Sequence, residues 1–164
     1  MMEYNYKYDE MFLEADHLIS DQQIKEAMSL LHQIIDEQPD YGRAHNHLGW
    51  IYENKLKRFD KAADHYQAAL HFSPGYPAPW LNYAYFLSNL QRYKELKEHL
   101  EKCLTIPGIF TPYIYNEFAI MNELQENYPE ATEYYVKAIK KSLNAKDIEG
   151  YEESIERVKK KMNL

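Results

Sequence analysis

The sequence has little of what disulfide-stabilised, membrane-spanning or nucleic-acid-binding proteins need. Among its 164 residues Cys103 is the only cysteine, so no disulfide can form within the chain. No stretch approaches the roughly 20 apolar residues of a membrane-spanning helix, and the start, MMEYNYKYDEMF, has no apolar signal core. The net charge of −7 argues against nucleic acid, because phosphate binding needs clustered lysine and arginine. We therefore expect a cytoplasmic protein with neither nucleic acid nor membrane as a partner.

Signatures of catalysis and metal binding are also missing. No two of the seven histidines have the spacing of about four residues that places a metal-binding pair on one helix face. The five glycines form no phosphate-binding loop and no nucleophile elbow. Cys103 has no candidate base at a recognised spacing, so we expect a buried, inert thiol. The sequence thus predicts no catalytic residue, no metal and no cofactor, and a protein that is not an enzyme.

Two series of mostly small residues recur through the chain. The first series has steps of 34, 35 and 35 residues and consists of Ala15, Gly49, Ala84 and Ala119. The second series has steps of 35, 34 and 35 and consists of Ala27, Ala62, Leu96 and Ala131. Bulky residues lie three, four and seven positions from the members of these series, and such offsets mark one face of a helix. Each repeat therefore contains two amphipathic helices, and a small residue such as Gly49 lets two helices cross closely.

The repeat period divides the chain into units. Pro39, Pro74 and Pro107 follow the second helix of the first three units, where proline ends a helix. The units predicted on this basis, within one domain spanning 1–164, are 8–41, 42–76, 77–111 and 112–145. A further segment, 146–163, has one apolar face, formed by Ile148, Tyr151, Ile155, Val158 and Met162. A helix with such a face can cover the last repeat, so we predict a C-terminal capping helix.

This pattern resembles the tetratricopeptide repeat, whose signature is W-x2-L-G-x2-Y, then A-x3-F, then P, with a period of 34 residues. The second unit matches best, through His45, Leu48, Gly49, Tyr52, Ala62, Tyr66, Ala69 and Pro74. The resemblance implies an all-α fold, a right-handed superhelical solenoid of about four helix-turn-helix repeats plus the capping helix. It also implies a non-catalytic protein- or peptide-binding scaffold or adaptor, because the family usually binds ligands in a concave groove lined by the first helix of each unit.

The groove positions implied by the resemblance flank the packing stripe of each first helix. We predict that the peptide-binding residues are Arg43, Asn46, His47, Trp50, Asn54, Asn82, Tyr85, Asn89, Tyr113, Asn116 and Glu117. Asn46, Asn82 and Asn116 recur once per unit, and their amides suit the backbone of an extended peptide. The alternative for them is hydrogen bonding between helices. Trp50 and Tyr85 are candidate hot spots, with ordinary packing between repeats as the alternative.

The charges at these inward positions predict the character of the partner. Four carboxylates oppose Arg43 alone, and they belong to Asp16, Glu53, Glu117 and Glu123. Electrostatic complementarity then favours a neutral or basic protein or peptide. An alternative function is that of a structural, homo-oligomerising repeat protein. In that case the N-terminal tyrosines Tyr4, Tyr6 and Tyr8 would pack in a homodimer, although a frayed lead-in to the first helix explains them as well.

Overall fold

The computed structural model describes residues 6–164, which form nine α-helices and no β-strand, as the all-α prediction requires. The helices are α1 (Tyr6–Ser20), α2 (Ile24–Glu37), α3 (Gly42–Asn54), α4 (Phe59–Phe72), α5 (Pro77–Asn89), α6 (Tyr93–Cys103), α7 (Thr111–Leu124), α8 (Tyr128–Lys141) and α9 (Ala145–Met162). Within this range, none of the helices has both the length and the apolar character needed to cross a bilayer. Tyr6 and Tyr8 belong to α1, whereas Tyr4 lies outside the described residues.

Contacts divide the chain into two compact units. Unit 1 comprises Met1–Tyr83 and unit 2 comprises Ala84–Leu164, so the boundary falls inside α5. In unit 1, α1 packs on α2, α2 on α3, and α3 on α4. In unit 2, α6 packs on α7, α7 on α8, and α8 on α9. Within each unit, the helices that pack on each other in this way are neighbours in sequence.

Gly49 lies where α3 and α4 of unit 1 approach each other. A Cβ atom built on Gly49 would be only 2.7 Å from Cδ1 of Tyr66, which is fully buried. That distance is shorter than real Cβ contacts allow, so the α3–α4 crossing requires glycine at this position. The small-residue series therefore marks a close approach of helices here, as the sequence predicts.

The C-terminal helix α9 covers one side of α8. Tyr151 and Val158 of α9 are buried in one apolar cluster with Ala131, Tyr135 and Ala138 of α8. Ile155 packs against the same cluster, while Met162, predicted for the same face, is 52% exposed. The apolar stripe of this segment thus packs on the preceding helix over most of its length.

The turn between the two helices of each repeat contains a residue with positive φ. These residues are Gln22, Lys57, Gln91 and Glu126, with φ of 62°, 54°, 55° and 63°. In the first and last of these turns a backbone N–H reaches back five residues to a carbonyl oxygen, from Gln23 to Leu18 and from Asn127 to Asn122, both at 2.8 Å. Such bonds satisfy carbonyls left free at the end of a helix. None of the four is glycine, so every repeat has a strained turn residue.

We expect Lys57→Gly to stabilise the protein, since glycine adopts positive φ without the steric cost that lysine pays. The gain should be about 0.5–1 kcal/mol after allowance for the greater freedom of glycine in the unfolded chain. The urea midpoint of unfolding measures it. As a control, Lys97→Gly in the exposed middle of α6 should lose up to about 1 kcal/mol. A midpoint for Lys57→Gly at or below that of the parent would contradict this account of the turn.

Candidate functional site

Unit 1 contains a pocket lined by the first helix of successive repeats. Its volume is about 300 Å³, and its walls come from α1, α3 and Asn82 in the middle of α5. The lining residues, which together we call the unit 1 pocket, are Asp16, Ile19, Asn46, His47, Trp50 and Asn82. The structure therefore brings together four of the predicted groove residues, namely Asn46, His47, Trp50 and Asn82.

Two of the three recurring asparagines bond to each other in this pocket. Asn82 Nδ2 donates to Asn46 Oδ1 at 3.0 Å, and Asn46 is only 3% exposed. This is the hydrogen bond between helices that the sequence left open as an alternative. An amide offers two N–H donors and an oxygen with two lone pairs, so a single bond between the two side chains leaves capacity on both.

His47 holds an unsatisfied polar atom beside these asparagines. Its Nε2 lies 3.0 Å from Oδ1 of Asp16, and its ring meets Phe12 edge-on at a centroid distance of 4.5 Å. The carboxylate can only accept, so Nε2 carries the proton, and Nδ1 of the neutral ring is an acceptor. Nδ1 is buried and has no hydrogen-bond partner among the described residues. Buried polar atoms are normally satisfied, so this one calls for an explanation.

Arg43 and Asn54, also predicted as groove residues, have other partners. Arg43 lies 3.5 Å from a carboxylate oxygen of Asp9 and stacks over the ring of Phe12 at 4.2 Å. Asn54 donates to the carbonyl oxygen of Trp50, one turn earlier on α3, at 3.1 Å. Neither residue lines the pocket. Helix phase alone does not reveal these contacts, because the partners of Arg43 lie on α1 and the partner of Asn54 is a backbone carbonyl of α3.

The predicted groove residues of unit 2 include a buried carboxyl group. Glu117 on α7 is 5% exposed, and burial raises its pKa although a hydrogen bond from Ser88 opposes the rise. Tyr113, one turn earlier, is 37% exposed. Burial raises the pKa of Tyr85 to about 12, with further contributions from Glu117, Tyr113 and Tyr151. Glu117, Tyr113 and Tyr151 therefore lie near enough to Tyr85 to act on its hydroxyl. Tyr151 of α9, which the sequence assigned to the capping face, is the one of the four that was not predicted as a groove residue.

Two further predicted residues of unit 2 are asparagines. Asn116 on α7 is half-buried, and Asn89 at the end of α5 is exposed. Asn116 was predicted as the third member of the asparagine series. The bond between Asn46 and Asn82 joins only the first two, both of which lie in unit 1.

The predicted acidic inner face is wrong, because three of its four carboxylates are buried. Glu53, Glu117 and Glu123 are 7%, 5% and 6% exposed, and only Asp16 remains at the surface. Glu53 accepts a hydrogen bond from Tyr66 at 2.8 Å, and Glu123 accepts one from Tyr135 at the same distance. The sequence does carry a signal for this pairing. In the second and fourth repeats, a glutamate stands four residues after the small residue of the first series. In the same two repeats, a tyrosine stands four residues after the small residue of the second series.

Three histidines of unit 1 lie close together outside the pocket. His45 and His65 approach through their Nδ1 atoms at 3.0 Å, and His45 Nε2 donates to the carbonyl oxygen of Pro39 at 2.9 Å. The proton between the two rings therefore belongs to His65. Burial, with smaller effects of His45 and His32, lowers the pKa of His65 to about 4, so the pair is neutral at neutral pH. Among residues 6–164, no group of three or more candidate ligands is arranged to hold a metal ion.

Known proteins with this architecture identify the family. Tetratricopeptide repeat models match residues 12–77 and 78–108. PilF from Pseudomonas aeruginosa is similar, with 16% identity and a TM-score of 0.79 over 95% of this chain and 69% of that one. PilW, a type IV pilus biogenesis factor, has 19% identity and a TM-score of 0.73 over 95% and 79% of the two chains.

A third similar structure is TTC0263, a tetratricopeptide repeat protein of Thermus thermophilus. Its identity is 16% and its TM-score is 0.65, over 96% of this chain and 82% of that one. At these identities the likeness shows the fold alone. No curated protein matches the sequence at a significant level. Since the two family matches together span residues 12–108, more than half of the chain, the protein belongs to the tetratricopeptide repeat family.

Proposed function

We propose that the protein is a non-catalytic scaffold that binds a protein or peptide partner, and that the unit 1 pocket is its binding site. The observation that carries this proposal is the unsatisfied Nδ1 atom of His47, which lies among residues predicted to bind a peptide. A partner that supplies an N–H group would satisfy this atom. Because every pocket residue stands on a first helix, the family resemblance supports the same location.

The size and lining of the pocket favour part of a peptide over a small molecule. Ligand pockets typically measure about 300–1,000 Å³, so this one lies at the lower limit and has room for one side chain with its adjacent backbone. Ile19 and the half-buried Trp50 offer apolar contact for that side chain. The remaining capacity of Asn46 and Asn82 suits the peptide backbone.

The proposed partner is neutral or basic. With Glu53, Glu117 and Glu123 buried, this proposal depends on Asp16, whose side chain is 59% exposed at the pocket, and on the net charge of −7. The negative charge should mainly raise the rate of association, and added salt should weaken that effect.

Peptides selected from a random display library on the immobilised full chain would test the pocket. For the tightest peptide, Trp50→Ala should raise the Kd about 30-fold, equivalent to about 2 kcal/mol, as for other buried aromatic anchors. His47→Phe keeps an aromatic ring beside Phe12 but removes the acceptor, and should raise the Kd about 5- to 10-fold. Fluorescence anisotropy of a labelled peptide measures both changes.

Leu56→Ala is the matched control, because it removes a side chain of unit 1 that is 44% exposed and lies outside the pocket. It should leave the Kd unchanged. Circular dichroism must show that all three variants keep the helical content of the parent. If the selected peptides bind Trp50→Ala and His47→Phe as tightly as the parent, the unit 1 pocket is not the site.

A further inference from the structure

Glu117 and Glu123 of α7 are buried to the same degree but have opposite electrostatic surroundings. Glu123, 6% exposed, forms ion pairs with Arg157 and Lys161, both at 2.8 Å, and these bonds lower its pKa to about 2. Glu117, 5% exposed, belongs to none of the ion pairs among residues 6–164, and its pKa is raised. Ionised Glu117 therefore lacks a counter-charge, which a buried carboxylate normally requires.

The neighbours of Glu117 are aromatic and acidic. Tyr113 lies one helical turn before it on α7, while Tyr85 comes from α5 and Tyr151 from α9. The ionisable groups that act on the hydroxyls of Tyr85 and Tyr151 are the carboxyl groups of Glu117 and Asp147 and neighbouring tyrosine hydroxyls. All of them raise the pKa of the hydroxyl on which they act. The electrostatic environment of these two hydroxyls is therefore negative, because the groups that act on them include carboxyl groups and no lysine, arginine or histidine.

Such surroundings suit a positively charged guest. The face of a tyrosine ring attracts a cation, most strongly where water is excluded. A carboxylate at the same place adds a charge-assisted hydrogen bond. Tyr113 is 37% exposed, so the edge of this group borders solvent, and Glu117, 5% exposed, lies one helical turn further along α7.

We propose that Glu117, Tyr85, Tyr113 and Tyr151 form a cation site in unit 2 that receives the ammonium or guanidinium group of a lysine or arginine side chain from a protein partner. The carboxylate pairs with the charge, and the tyrosine rings contact the cation and the adjacent methylene groups. This site lies in unit 2 and uses different chemistry from the unit 1 pocket, so each proposal can fail without the other.

The cation site makes affinity depend on pH in a definite direction. Only ionised Glu117 provides a counter-charge, and its pKa lies above the ordinary value of 4.5. Affinity for a cation should therefore fall as the pH drops through this raised pKa, and the fall should begin at a higher pH than for an exposed glutamate. With Glu117→Gln this dependence should disappear.

The test uses n-butylammonium and n-butylguanidinium as probes of the full chain, with 1-butanol as a neutral probe of similar shape. Titrations at constant ionic strength are followed by NMR of 13C-labelled tyrosine rings. Both cations should shift Tyr85, Tyr113 and Tyr151 with a Kd in the millimolar range, about that of a ligand of so few atoms. Butanol should not shift them. Glu117→Gln and Tyr113→Ala should each weaken binding at least 10-fold, and Glu133→Gln, on the exposed face of α8, should not.

Melting temperatures separate a binding role of Glu117 from a structural one. As an unpaired buried carboxylate, Glu117 should be replaceable by glutamine with an equal or higher melting temperature, whereas Glu123→Gln should lower it. Cation-induced ring shifts that persist in Glu117→Gln would overturn the proposal. A melting temperature of Glu117→Gln as low as that of Glu123→Gln would overturn it too, because the carboxylate would then have a structural role.

Discussion

Replacing Gly49 with leucine is expected to destabilise the protein by about 3 kcal/mol or more, at the upper end of overpacking effects. The first side-chain carbon alone would lie 2.7 Å from the Tyr66 ring. That ring cannot withdraw easily, because it is fully buried and its hydroxyl is bonded to Glu53. Alanine should have an intermediate effect, since its clash opposes a gain in helix propensity of up to about 1 kcal/mol.

Gly150 provides the matched control for this substitution. It also lies in a helix, α9, but a Cβ atom there would meet nothing within 4 Å. Gly150→Leu should therefore be neutral or stabilising by up to about 1 kcal/mol. Urea unfolding of the four proteins should give the order Gly150→Leu, parent, Gly49→Ala, Gly49→Leu from most to least stable. Equal losses for the two leucine variants would mean that α3 and α4 do not approach closely at Gly49.

The helices and their packing faces could be predicted because the repeat is a packing pattern. A small residue is needed wherever two helices cross closely, and this need recurs with each repeat. The periodic series therefore locates Gly49 against α4 and places the helix pairs without any knowledge of other proteins. The division into two compact units between Tyr83 and Ala84 could not be predicted from the sequence, because the boundary falls inside the uninterrupted helix α5.

The backbone conformation of the turns between paired helices could not be predicted from their residue types. Positive φ is usually signalled by glycine or asparagine. Here glutamine, lysine and glutamate adopt it instead, so sequence inspection finds a short turn and misses its conformation. The four positions recur at the repeat period, so a positive φ known at one of them would have predicted a positive φ at the other three.

The candidate site could be predicted only in part, because helix phase fixes the side of a helix but not the partners of a side chain. The phase predicts one surface for Asn46, His47, Trp50 and Asn82, and these four side chains line one pocket. It also placed Glu53 there, although Glu53 is buried against Tyr66. Glu53→Ala is consequently a change in the protein interior. It should leave the buried Tyr66 hydroxyl without this acceptor.

Glu123→Ala is the second substitution with a large expected effect, a loss of about 2–4 kcal/mol. It removes the acceptor of the buried Tyr135 hydroxyl and both ion pairs that join α7 to α9. The Arg157 and Lys161 side chains are 50% and 40% exposed, so water can solvate them after the loss, and this keeps the cost below that of a fully buried pair. Amide hydrogen exchange should quicken most in α9, which these bonds attach to the rest of unit 2.

The pH dependence of Glu123→Gln identifies the charge as the source of this stability. Glu123 has its pKa lowered to about 2, from 4.5, chiefly by the hydrogen bond from Arg157. A carboxyl group with a lowered pKa in the folded state stabilises fully above its unfolded pKa, and that contribution is lost as the pH falls towards the folded value. The difference in unfolding free energy between parent and Glu123→Gln should therefore be constant from pH 7 to about 5 and shrink between about pH 4.5 and 2. Urea titrations across this range, with the exposed Glu133→Gln as a control that stays parallel to the parent, measure it. A difference that persists undiminished at pH 2 would show that the shape of the side chain, and not its charge, holds α9 in place.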